Sequence, residues 1–151
     1  MILMKASATS RLTGLHFLVS GIPNARLLYT MAVEAVRLIR TRAFPLVGYG
    51  RSVEDIAVNP YSTAYLRYKL THGVPPINRL KNLRFTHQTA KDLRVLNINS
   101  TGTRAVVGFA LRRRIAQHLE RRYQFFGLAD FERAAVVRVG QQYLAQQIQQ
   151  Q

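Results

Sequence analysis

The run "NARLLYTMAVEAVRLIRTR" at residues 24–42 puts Leu28, Met31, Ala35, Leu38 and Ile39 on one side of a helical wheel and Arg26, Thr30, Arg37 and Arg40 opposite. That spacing predicts an amphipathic helix, started after Pro23 by Asn24 as N-cap. "GYGRSVEDIAVNP" breaks the period: Gly48 and Gly50 read as turn residues, and Ser52 with Asp55 as the start of one short turn. A second helix is expected over residues 59–73, "NPYSTAYLRYKLTHG", with Asn59 as its cap, Pro60 as its first residue and Gly73 as its stop.

This second helix carries an aromatic stripe, Tyr61, Tyr65, Tyr68 and His72. Opposite it lie only Thr63, Leu66 and Leu70, a thin apolar side for a core. The tyrosines are therefore expected to supply the burial of the helix, with their hydroxyl tips at an interface, rather than to stack on bases.

From Pro75 to Gly102 the helical period disappears. The segment reads as basic and extended, with "LRFTH" at 83–87 and "LRVLNIN" at 93–99 as short strands. Such a stretch is unusual inside a compact domain and suits one that lies on a partner. The period returns over residues 103–126, where Leu111, Ile115, Leu119 and Phe126 line one side and Arg113, Gln117, Glu120 and Gln124 the other. After Gly127, Asp130 is placed to cap a last helix with Val136, Val137, Tyr143, Leu144 and Ile148 in a broad stripe, and its glutamine-rich end is expected to fray. The fold class expected is mostly α: a small irregular helical domain of about four helices, with a basic extended central segment and extended termini. Residues 1–23 form a basic, acid-free arm, and residues 24–151 form one domain with the extended basic segment at 75–102.

A chain of 151 residues with 48% hydrophobic side chains sustains one core. Charge changes the picture more. Lys and Arg number 22 against 7 acids, for a net charge of +15. Between Asp55 and Glu120 the only acid is Asp92. All the basic residues except Lys5, Lys69, Lys81 and Lys91 are Arg, whose planar fork pairs bidentately with phosphate, although a GC-rich genome would produce the same bias. The middle of the chain is expected to face phosphate or anionic lipid.

The absence of cysteine excludes disulfides, cysteine zinc sites and thiol catalysis. The first 33 residues hold Lys5, Arg11 and Arg26 and no acid, a composition shared by transit peptides and by plain basic arms; a targeting segment would be carried uncleaved in this chain. "LTGLHFLVSGIP" at 12–23 is too short for a membrane span and reads as buried or interfacial. Residues 26–45, "RLLYTMAVEAVRLIRTRAFP", loosely resemble the opening helix of LYR-type mitochondrial accessory proteins, which begin a helical bundle with Leu-Tyr-Arg and reach a downstream Phe. Thr30 stands where the motif has its Arg, and no function is carried over.

His16, His72, His87 and His118 stand alone without ligand spacing, Asp130 reads as a cap and Glu132 as solvated, and no phosphate-binding glycine loop is present. No catalytic, metal or cofactor site is expected. What remains is binding. The residues expected to meet RNA are Arg67 and Lys69 on the second helix, then Arg79, Lys81, Arg84, Lys91 and Arg94 with the ring of Phe85 in the extended segment, and Arg112, Arg113, Arg114, Arg121 and Arg122 on the third helix. No motif for reading base edges is present, so such binding would follow backbone and shape.

The function expected is a non-catalytic structural component of a large ribonucleoprotein, a mitochondrial ribosomal protein bound to rRNA and neighbouring ribosomal proteins. The rival expectation is an accessory subunit of a mitochondrial inner-membrane complex, a respiratory complex or ATP synthase, touching acidic subunits or cardiolipin. Both place the chain in the matrix or on the matrix face of the inner membrane.

Overall fold

In the computed structural model, residues 24–58, 60–77, 79, 87–99 and 101–150 are described in full, and residues 3–7 and 15–20 by their backbone. Helix α1 (Ala25–Ala43) starts as expected: the Asn24 Oδ1 accepts hydrogen bonds from the Arg26 and Leu27 amides, both at 3.0 Å. It ends at Phe44, whose amide donates to the Arg40 carbonyl at 2.9 Å, and Pro45 cannot extend it. Leu27, Leu28, Met31, Ala32, Ala35, Val36 and Ile39 are all buried, because one side of α1 meets a sheet and another meets the last helix.

That sheet has four antiparallel strands in the order β1 (Leu3–Ser7), β2 (Leu15–Ser20), β4 (Arg104–Phe109), β3 (Leu93–Ile98). Strand β3 falls where "LRVLNIN" predicts one; the other expected strand, at 83–87, lies outside the described residues apart from His87. The helix expected over 103–126 is corrected in its first part. "RAVVGF" is β-branched and follows the polar turn "NSTGT", so it pairs back onto β3 with Leu93 opposite Phe109 and Ile98 opposite Ala105. Asn99 fastens this turn: its Oδ1 accepts from the Thr103 and Arg104 amides at 2.9 and 2.8 Å, while its Nδ2 donates to the Thr101 and Thr103 hydroxyls. Gly102 is required there, at φ +64° and with Ala25 N only 2.8 Å from where a Cβ would sit.

The apolar stretch at 12–23 supplies β2, an interior strand with Leu15 opposite Val107 on one side and Leu18 opposite Lys5 on the other. Two strands of the sheet thus come from the segment expected as an arm. Within the segment expected to be extended, residues 88–92 form the short helix α3 (Gln88–Asp92).

Three further helices complete a domain that is mostly α: α2 (Thr63–His72), α4 (Arg113–Tyr123) and α5 (Asp130–Gln149). Helix α5 crosses α1 at Gly140, where a Cβ would come within 2.8 Å of the Met31 sulfur, and it runs through the glutamine-rich tail instead of fraying ahead of it. Between the elements sits an aromatic cluster: Phe44 and Phe109 meet Phe125 edge-on at 5.2 and 6.0 Å, and Phe126 closes the group.

Two acidic assignments in the last helix are corrected. Asp130 is the first helical residue, exposed and 3.3 Å from Arg133, and Ala129 takes the cap position. Glu132, expected to be solvated, is buried: its Oε2 accepts from the Ala129 amide at 2.9 Å and its Oε1 from the Arg42 Nε at 2.8 Å. Arg42 is buried too, and its remaining donors reach the carbonyls of Arg51, Phe125 and Gly127. Arg42→Met therefore leaves a buried carboxylate uncompensated and should cost about 3–5 kcal/mol in urea unfolding. Arg42→Met with Glu132→Met should recover part of that loss.

Candidate nucleic-acid interface

The basic helix α4 owes its start to the one acid in the middle of the chain. Asp92, 8% exposed, accepts from the Leu111 and Arg112 amides at 2.8 and 2.7 Å through Oδ2, and lies 3.6 Å from Arg94 through Oδ1. Those amides would otherwise be unpaired donors at a helix N-terminus, and a carboxylate there also suits the helix dipole. At the other end Gln124 turns into the left-handed region at φ 45°, and Glu120 accepts from the Phe126 amide at 2.7 Å. Burial pushes the Glu120 carboxyl above its ordinary pKa, against the pull of that bond.

Only Ala116 of α4 is buried, with Leu119 packed against the core; Arg113, Arg114, Arg121 and Arg122 are exposed. Helical spacing sets Arg114, His118 and Arg121 along one outer stripe. Beside that stripe, Arg112, Ile115, His118, Leu119, Arg122 and Tyr123 line a groove of about 1160 Å³, whose opposite wall includes Val58, Tyr61 and Tyr65. Glu54 is the one acid among the groove's lining residues. Arg112 also donates to the Gln88 side-chain oxygen, and the Arg122 guanidinium carbon lies 5.7 Å from the Tyr123 ring centroid.

The acids of the chain are largely occupied elsewhere. Glu34 pairs with Arg37 at 2.6 Å, which holds the Glu34 carboxyl below its usual pKa, and Asp55 pairs with Arg51 at 2.8 Å. Glu132 faces Arg42, and Asp92 and Glu120 hold backbone amides. Among the described residues, no acid lies within ion-pair distance of Arg113, Arg114, Arg121 or Arg122.

Helix α2 departs furthest from expectation. Asn59 lies outside the described residues, and Ser62 is the N-cap, accepting from the Tyr65 amide at 3.3 Å, so the helix starts at Thr63 and Pro60 stays outside it. Gly73 ends it as expected. The tyrosines do not bury the helix: Tyr65 is 41% exposed and Tyr68 51%. The one buried residue of α2 is Lys69, at 2%, which removes it from the residues able to meet phosphate. Its stem fills the inner side, and its Nζ donates to the Tyr61 hydroxyl at 3.0 Å and sits 4.6 Å from the Tyr61 ring centroid. The rings pack on one another in series instead, Tyr61 to Tyr65 at 4.9 Å, Tyr65 to Tyr68 at 6.5 Å, and Tyr68 stacked on His72 at 4.4 Å. Burial first, then neighbouring Tyr123 and Tyr68, raises the Tyr65 phenol pKa.

Of the residues expected to meet RNA, Arg112 and Arg122 share the groove, while Arg113, Arg114 and Arg121 lie elsewhere on the exposed surface of α4. Arg67, Arg79, Lys91 and Arg94 are exposed on separate elements. Lys81, Arg84 and Phe85 lie outside the described residues. Tyr123 and His118 join the groove without any signal in the sequence, because facing Tyr61 and Tyr65 depends on how distant segments pack. Among the described residues, no group of three His, Asp or Glu side chains is arranged to hold a metal ion. No protein family, curated protein or solved structure matches the chain.

Burial lowers the Lys69 pKa from 10.5 to about 8. Below about 8 both folded and unfolded chains hold the proton, and the folded state bears the full cost of burying the charge. Between about 8 and 10.5 the unfolded chain binds more protons, so stability rises with pH across that window. Urea midpoints at about pH 7 and about pH 9.5 should show a gain for the wild type that is smaller in Lys69→Met. An equal gain in both proteins would mean that Lys69 is not its source.

Proposed function

We propose that the protein is a non-catalytic RNA-binding component of a large ribonucleoprotein, a mitochondrial ribosomal protein whose arginines clamp rRNA. The reading rests above all on α4, which presents Arg113, Arg114, Arg121 and Arg122 with no acidic partner among the described residues. Solvated basic faces on free proteins usually interleave acids at helical spacing, which moderates their field. Here the two carboxylates nearby, Asp92 and Glu120, are spent inside the fold, holding backbone amides at the start and just past the end of the same helix. Phosphates on a folded RNA supply the missing counter-charges from several directions, as the fan of guanidinium groups around α4 requires. Arg112 and Arg122 at the groove extend the same surface.

Co-sedimentation tests the particle: recovery with ribosomal particles under mild salt supports the reading. Retention with detergent-solubilised inner-membrane complexes instead would replace it with an accessory-subunit role; no described helix is long and apolar enough to cross a membrane. At the residue level, Arg114→Gln with Arg121→Gln and Arg122→Gln should weaken binding to structured RNA and lower the slope of log K against log salt by about two to three. An unchanged slope would remove α4 from the interface.

A further inference from the structure

The ladder of rings on α2 is exposed and runs out of an arginine-lined groove, a combination that the clamping of rRNA by arginines does not use. Tyr61 and Tyr65 are among the groove's walls, and Tyr68 and His72 carry the series outward along the helix. Tyrosines recruited only for packing would turn their faces to the core, yet Tyr65 and Tyr68 keep about half of their surface in solvent and the buried position is held by Lys69. Tyr68 and His72 are stacked on each other at 4.4 Å, so no base enters between them, and what the series offers a base is the exposed sides of Tyr65 and Tyr68. Arg112 and Arg122 line the same groove as Tyr65 and put positive charge in it, and Arg67 of α2 is not among its lining residues.

We infer that this strip binds an unpaired RNA segment, laying bases against the exposed sides of Tyr65 and Tyr68 while Arg112 and Arg122 hold phosphates in the groove that Tyr65 lines. The inference rests on the RNA-binding reading above and adds to it the class of RNA. Bases inside a duplex are covered by their neighbours and offer no face to a tyrosine, so the ladder recognises single strands, whereas the arginines outside the groove accept either form. Base identity is not read, because every base has a π-face and the strip offers rings where base-edge recognition would need a set of amide donors and acceptors. Charge decides against an apolar peptide as the occupant: a groove lined by two arginines, two histidines and one acid attracts a polyanion.

The test compares an oligouridylate of about ten nucleotides with an RNA duplex of the same length, by fluorescence anisotropy over a salt series, on the full chain. Tyr65→Leu with Tyr68→Leu should weaken oligouridylate binding by about tenfold or more, leave its salt slope unchanged and leave duplex binding unchanged. Tyr65→Phe with Tyr68→Phe should bind the oligouridylate like the wild type, since the rings remain. The chain has no tryptophan, so quenching of tyrosine emission by the oligouridylate gives a second readout that stacking predicts and phosphate contact alone does not. Equal loss of single-strand and duplex binding in the leucine variant, or no loss of either, overturns the stacking role while the arginine reading stands. If the wild type binds neither RNA, both fall. A melting temperature for each variant within a few degrees of the wild type separates a binding loss from a folding one.

Discussion

One buried ion pair ties four segments of the chain together at a single corner. Arg42 sits at the end of α1, Glu132 in the first turn of α5, and the guanidinium also reaches carbonyls of the 51 loop and of the turn at 125–127. A charge taken out of water is tolerable only when each of its donors finds an acceptor, so the four segments can take few other arrangements. Phe125 lies inside that clasp and packs edge-on against Phe44, so the aromatic cluster and the ion pair constrain the same corner. The path of the chain out of α4 is set at this corner, and with it the direction in which the arginine helix points.

Electrostatics divides the molecule in two. Inside, carboxylates are used singly and each serves a local purpose. Glu132 neutralises Arg42 and caps α5, Asp92 receives two amides ahead of α4, and Glu120 receives one after it. Outside, Arg113, Arg114, Arg121 and Arg122 of α4 have no acidic partner among the described residues. Of the seven acids, three are thus structural parts, and Glu34, Asp55 and Asp130 each pair with one arginine at the surface, away from α4.

What could be read from the sequence was local. Asn24 as a cap, Gly73 as a stop and the strand character of "LRVLNI" all follow from a few neighbouring residues, and each is where its chemistry puts it. What could not be read depends on distant partners. "RAVVGF" fits a helical period until β2 and β3 are there to pair with it, and the hairpin turn "NSTGT" was the signal that arbitrated. The burial of Arg42 and Glu132 requires two residues ninety apart in sequence to find each other, and nothing near either one announces it. The face of α2 misleads for a related reason: a lysine stem with a tyrosine cap can serve as the apolar side of a helix, and a count of hydrophobic letters does not register it. The basic residues of the candidate interface were legible as a composition, but the groove that gathers two of them opposite the tyrosines was not.

Asp92 has a consequence for the life of the chain before it reaches any partner. Its Oδ2 holds two backbone donors and the side chain is buried, so it cannot swing out over the arginines of α4. The positive field of α4 is thus fixed by the fold: among the described residues, no buried carboxylate can be released to moderate it without giving up a backbone amide that it holds.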